Sequence, residues 1–197
     1  MIVSRDETYP ALVHRAKVSI QNQTYPNLEL VEVRNNDRSA TIGHCWNEAI
    51  KSTTAPIVMF MGDDDYIAPE CVVFLVDQLS RHKHANPSLI GVTCYMMAQH
   101  IIMSADGQIV PQGPPSYMPA TFTGMYSRDA FKHISFKESL PNQVDMDFFE
   151  RCRKRKLYIA ACHYYFGYFY TLHSNMVSGY NRFTTPEKID KMTVVQD

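Results

Sequence analysis

Residues 56–61, Pro-Ile-Val-Met-Phe-Met, form an unbroken apolar run that stops at Gly62-Asp63-Asp64-Asp65. No other segment constrains the fold as strongly. A run this short, without a polar position, suits a central parallel strand covered on both faces better than a helix. The carboxylates that follow then stand at the carboxyl end of that strand, the edge where open α/β sheets place their ligands.

The flanking sequence supports this frame. Residues 2–4 read as an opening strand, and Leu12, Ala16 and Ile20 recur at the spacing of one buried helix face. Residues 28–33 are strand-like and are followed by the turn residues Asn35-Asn36-Asp37. Residues 41–52 form a second helix with the stripe Ile42, Cys45, Trp46, Ala49 and Ile50. Beyond the acidic cluster, Pro69 opens a third helix that runs to about His82, and residues 89–97 supply the next strand. Ala105-Asp106-Gly107 reads as a hairpin turn, and the proline-rich residues 111–119 as a loop. A strand at 121–126, a short helix capped by Ser127 and reaching His133, a helix at 145–156 and a buried strand at 157–170 complete the chain. The order predicts an α/β fold in one domain over residues 1–197: a mixed, mainly parallel, Rossmann-like sheet flanked by helices.

Composition narrows the function classes. With 19 Lys+Arg against 20 Asp+Glu, the chain lacks the basic excess of a dedicated nucleic-acid binder. Its five cysteines form no CxxC pair, which fits free thiols in a reducing compartment. The opening Met-Ile-Val-Ser-Arg-Asp is not patterned as a signal peptide, and residues 157–170 are too short to span a bilayer. A cytoplasmic protein without a membrane span is the expectation.

Adjacent carboxylates destabilise one another unless a cation or a set of donors compensates, and hard oxygen ligands favour magnesium, manganese or calcium. A divalent cation bridging the aspartates to a diphosphate is one reading, and a solvated turn is the other. The alternating ligands of an EF-hand are missing, which disfavours calcium alone. No P-loop, GxGxxG or GxSxG motif occurs.

Three segments occur in a telling order: Gln21-Asn22-Gln23-Thr24-Tyr25-Pro26-Asn27-Leu28-Glu29-Leu30, then Gly43 with Asn47-Glu48-Ala49, then Phe60-Met61-Gly62-Asp63-Asp64-Asp65-Tyr66-Ile67-Ala68-Pro69-Glu70. Together they resemble the family 2 glycosyltransferases of GT-A fold, over residues 1 to about 80. The resemblance implies a metal-dependent, inverting transfer of a sugar from a nucleoside diphosphate donor, with UDP the expected nucleotide, to a hydroxyl of a glycan or glycoconjugate acceptor. Residues 1–97 would form the nucleotide-sugar half and residues 98–197 the acceptor half.

By the same resemblance, the Asp63 to Asp65 cluster is the DXD-type element, with Asp63 and Asp64 on the ribose side and Asp65 on a manganese or magnesium ion. His173, in Leu172-His173-Ser174-Asn175, would be a second metal ligand, with a hydrogen-bonded buried histidine as the other reading, and Asp145, in Gln143-Val144-Asp145-Met146-Asp147, would be the catalytic base, with an acid at a helix N-terminus as the other. Ser4, Arg5, Asn35 and Asn47 are assigned to the nucleotide sugar. Residues 111–119 would shape the acceptor site. The chain is short for the family, which leaves room for a neighbouring domain or a homo-oligomer to complete that side.

Three positions depart from the family pattern: Arg34-Asn35 in place of an Asp-Asp pair, Gly62 in place of the first acid, and Val144 in place of a glutamate before the base. These departures motivate an alternative, a non-catalytic nucleotide-sugar or glycan-binding module, and a metal-dependent phosphohydrolase is a third reading. The basic run at residues 151–156 reads as a solvated helix end, and Tyr164, Tyr165, Tyr168 and Tyr170 as strand core.

Overall fold

In a strand that runs between two helical layers, alternate side chains enter different cores, and residues 57–61 do this. Ile57, Met59 and Met61 join one hydrophobic cluster, while Val58 and Phe60 join another. The computed structural model describes residues 1–4, 8–36, 39–118 and 124–174, and the elements below lie within them.

The first cluster joins β1 (Ile2–Ser4), α1 (Pro10–Gln21) and α3 (Cys71–Ala85) to the sheet through Ile2, Ala16, Leu75 and Leu79. The second gathers the aromatic rings of Phe60, Tyr126, Phe136 and Phe148, with α2 (Ile42–Lys51) and α4 (Val144–Lys154) closing it. Helices thus cover both faces of the sheet.

The strands form a three-stranded parallel sheet and a seven-stranded mixed sheet, which meet along residues 57–62. β1 lies between β2 (Glu32–Arg34) and β4 (Met61–Gly62) and pairs with both in parallel. Directly before β4, β3 (Ile57–Met59) pairs antiparallel with β9 (Gly124–Ser127). The apolar run is therefore central as expected, but parallel only in its second part. Two long strands, β6 (Leu89–Met103) and β10 (Tyr158–Leu172), run parallel side by side. β5 (Tyr66–Ile67) adds antiparallel to β10. β7 (Ile109–Pro111) closes the expected hairpin on β6, with Met103 opposite Ile109.

Several elements differ from the sequence reading. The strand expected at 28–33 is confined to Glu32–Arg34, because Leu28 and Leu30 stay partly exposed beside an apolar cavity of about 160 Å³ instead of pairing. β6 runs on to Met103, so the boundary drawn at 97/98 lies inside a strand. The loop expected at 111–119 contains β8 (Ser116–Met118), which pairs antiparallel with β6 at its outer side, where the nearby prolines leave the ladder intact. α3 starts at Cys71, after a turn through Pro69 and Glu70. Ser127 precedes a 3-10 helix, Arg128–Lys132, without capping it, and its Oγ accepts from Lys83 instead. The basic residues of α4 are largely paired within the helix, Arg151 with Asp147, and Arg153 and Lys154 with Glu150. Among the described residues no helix is long and apolar enough to cross a membrane.

Candidate functional site

The site is built where β4 stops. The chain reverses between Gly62 and Tyr66, so residues 63–65 form the connection from β4 to β5 at the carboxyl end of the parallel strands. Gly62 is required there by space: a Cβ would lie 2.7 Å from Asp64 Oδ1 and 2.8 Å from Asp65 Oδ2. The residue that departs from the family pattern is thus the one that lets the two carboxylates fold back over the strand end.

Asp65 is turned inward. Tyr168 donates its hydroxyl to Asp65 Oδ2 at 2.6 Å, and the Thr171 N–H donates to Oδ1 at 2.8 Å. The Tyr168 oxygen in turn accepts from the Gly62 N–H at 3.2 Å. Burial pushes the Asp65 carboxyl well above the usual carboxylate range and the Asp64 charge adds to this, while the Tyr168 and Thr171 bonds and Arg15 oppose it. Burial also raises the Tyr168 phenol, with the Asp65 charge acting in the same direction.

Asp64 meets His173, with Oδ2 and Nε2 3.0 Å apart. His173 is buried at the end of β10, and the ring of Tyr9, at the N-terminus of α1, meets it edge-on at 5.6 Å. Arg15 reaches in from α1 and donates to the Asp64 carbonyl at 2.9 Å and to Thr171 Oγ1 at 2.6 Å, while its guanidinium lies 4.4 Å over the Tyr66 ring. Its Nε is buried and has no hydrogen-bond partner among the described residues.

An oxygen and a nitrogen donor converge at Asp64 and His173. Among the described residues no group of three or more His, Cys, Asp and Glu side chains is placed to hold a metal ion. Asp64 and His173 are the residues that could contribute ligands to a divalent cation, which would need further ligands from elsewhere.

The other residues singled out by sequence are distributed as follows. Asp63 is buried in the same connection. Ser4 ends β1, where its hydroxyl donates to Glu32 Oε1 at 2.6 Å and its carbonyl accepts from the Asn35 N–H at 2.9 Å. The Asn35 side chain closes its own loop on Ala40, donating to the carbonyl at 2.8 Å and accepting from the N–H at 3.3 Å. Both residues therefore sit at the carboxyl edge of the parallel strands with their polar groups engaged locally. Arg5 lies outside the described residues.

Asn47 is buried and faces away from the acidic connection. Its amide exchanges hydrogen bonds with the Phe136 backbone, both at 3.0 Å, and donates to Glu138 at 2.8 Å. Its observed work is to clamp the 136–138 segment onto α2.

Asp145 occupies the first turn of α4, a favourable place for a carboxylate beside the helix dipole. That helix start is fixed by Val144, which is buried against Gly43, where a Cβ would lie 3.2 Å from Val144 Cγ1 and 2.8 Å from the Lys137 carbonyl. Because α2 begins just after the loop that leaves β2, packing against its first turn brings Asp145 to the same edge of the sheet as the acidic connection. Val144, where the family pattern has an acid, is core.

Arg15, Tyr168 and Thr171 were not legible as site residues. Arg15 is one charge on an amphipathic helix, and the aromatic run of β10 has the pattern of strand core. The available signal was weak: Tyr168 and Thr171 precede His173 in the same strand, so the histidine and the acid-binding groups arrive together.

Comparison with solved structures places this geometry in a known fold. The crystal structure of S. aureus TarS superposes with a TM-score of 0.59 at 18% identity, covering 86% of this chain and 36% of that one. TarS 1-349 in complex with UDP-GlcNAc gives a TM-score of 0.60 at 16% identity, covering 89% of this chain and 59% of that one. The complex of TarS 1-349 with UDP gives 0.60 at 17% identity. No family model matches the chain, and no curated protein matches it. The fold is GT-A, Rossmann-like, the mixed sheet flanked by helices of a glycosyltransferase structure. At these identities the likeness establishes the fold alone, and the chain spans 36% to 59% of the length of these TarS structures.

Proposed function

We propose that the protein is a metal-dependent inverting glycosyltransferase that moves a sugar from a UDP-sugar to a hydroxyl of a glycan or glycoconjugate. The observation that carries the reading is the Asp64–His173 pair beside the Arg15 bond to the Asp64 carbonyl, on a fold similar to that of TarS with UDP and UDP-GlcNAc.

In this reading Asp64 and His173 are the residues that would hold a divalent cation, which when bound would supply positive charge to the leaving diphosphate. Asp65 serves the site from within: by keeping its carboxylate on Tyr168 and Thr171, it fixes the turn that presents Asp64. Arg15, with one nitrogen unpartnered, adds positive charge beside the same turn. Asp63, Ser4 and Asn35, at the ends of the parallel strands, would meet the nucleoside, with Arg5 assigned to it from the sequence alone. Asp145 accepts the proton of the acceptor hydroxyl as it attacks the anomeric carbon from the side opposite the leaving group, which inverts that centre.

Calorimetric titration with UDP-, GDP-, CDP- and dTDP-sugars, with and without manganese, tests the reading. One nucleotide should bind tightly in the presence of metal, and Asp64→Ala should lose the metal-dependent part of that binding. Failure of every donor to bind under all conditions would overturn the proposal and favour the glycan-binding module, which Gly62 and Val144 also permit.

A further inference from the structure

A row of unsaturated and polarisable side chains crosses the sheet beside the acidic connection. Tyr66 on β5 is the register partner of Phe169 on β10, which is opposite Met97 on β6, which is opposite Tyr117 on β8. Tyr66 and Phe169 stack at 4.5 Å with their rings 5° apart. Tyr95 and Phe166 widen the outer end, with Tyr95 and Tyr117 edge-to-face at 4.9 Å and Phe166 centred 5.6 Å and 5.9 Å from them.

Two features give this row a direction. Its inner end lies under Arg15, the residue that holds the Asp64 carbonyl, and its outer end opens to solvent, with Tyr117 46% and Phe166 43% exposed. The exposure is produced by an irregularity: Cys162 pairs with Cys94, yet the next pair is Phe166 with Tyr95, so residues 163–165 bulge from β10 and re-aim the Phe166 ring. The row also has a side. Gly91 on β6 pairs with Tyr126 of the cluster that α4 closes, and strand alternation from Gly91 turns Tyr95 and Met97 toward that same face. The face is the one flanked by the helix that carries Asp145.

We propose that Tyr95, Tyr117 and Phe166 form a stacking shelf for a pyranose ring of the acceptor saccharide. A sugar ring offers an apolar C–H face with hydroxyls at its rim, and this shelf offers aromatic faces with phenol groups at theirs. The row then runs from the acceptor ring toward the acidic connection, so a chain of sugars lying along it ends near the donor. The inference rests on the transferase reading and names the acceptor side of that same site.

Calorimetry of the full chain with cellotetraose, chitotetraose and maltotetraose, each with UDP titrated in parallel, tests it. At least one tetrasaccharide should bind saturably, and Tyr117→Ala and Phe166→Ala should each weaken it about fivefold or more while UDP affinity is retained. Tyr117→Phe keeps the ring and should hold most of the affinity, which separates stacking from folding defects. Binding of UDP with no saccharide binding, or saccharide binding indifferent to both alanine variants, would overturn the shelf and leave the donor reading standing. Saccharide binding lost in the alanine variants without any UDP binding would support the shelf and remove the donor reading.

Discussion

The acidic connection at residues 63–65 and the start of α4 at Asp145 reach the same edge of the sheet by different means. The first is pinned by groups far away in sequence: Tyr168, Thr171 and His173 from β10 and Arg15 from α1. The second is carried by its own helix and placed by apolar packing of Val144 and Phe148. The polar anchor makes position depend on buried hydrogen bonds, each of which becomes costly when half of it is removed. The packed anchor makes the position of Asp145 depend on the apolar contacts of its own helix.

The largest expected effect therefore falls on activity at the packed side. Asp145→Asn should lower sugar transfer by about 10²–10⁴-fold, the usual worth of a general base. Donor affinity should persist, and the variant should still unfold cooperatively. A coupled nucleotide-release assay and a melting curve check both parts, and loss of donor binding in step with turnover would erase the contrast between the two anchors.

An intermediate effect is expected at the polar side. Tyr168→Phe keeps the ring but leaves Asp65 Oδ2 without its donor and the Gly62 N–H without its acceptor, costing about 1–3 kcal/mol of unfolding free energy by denaturant titration. Metal-dependent donor binding should weaken in the same variant, because the turn that presents Asp64 loses its tie. A variant as stable as the parent would show that the connection is held by its backbone alone.

The smallest effect sharpens the boundary of the polar anchor. Glu32 on β2 accepts from Ser4 and Lys17, and the Ser4 bond, followed by the Lys17 bond, holds its carboxyl below the ordinary range. Its stabilisation is thus present above the ordinary glutamate value and is lost as the pH falls through the lowered one. Glu32→Gln should melt slightly below the parent at neutral pH, and the gap should close as the pH falls below the ordinary glutamate range. A gap that persisted in acid would mean that the contacts at Ser4 act without the charge.

Much of this frame was legible in the chain. The apolar run at 56–61 ending in carboxylates placed the site at a strand end, and the helix stripes of α1 and α2 follow from spacing alone. The sequence reading set Asp65 and His173 together as metal ligands, whereas the structure brings His173 to Asp64 and engages Asp65 with Tyr168 and Thr171. Three adjacent aspartates look alike in sequence, and which one turns inward depends on donors that only β10 brings. Asn47 illustrates the converse: an asparagine in the expected helix is occupied by Phe136 and Glu138, contacts made across many residues of chain.

By itself the sequence determined the layering, since periodicity decides which face of each element must be buried, and it determined where negative charge collects. The tertiary structure alone decided the division of labour among Asp63, Asp64 and Asp65, the recruitment of Arg15 and Tyr168, and the exposure of the aromatic row. The reason is physical: local pattern sets burial, but a carboxylate's role is set by the donors and charges around it, and those arrive from strands and helices that meet only when the chain has folded.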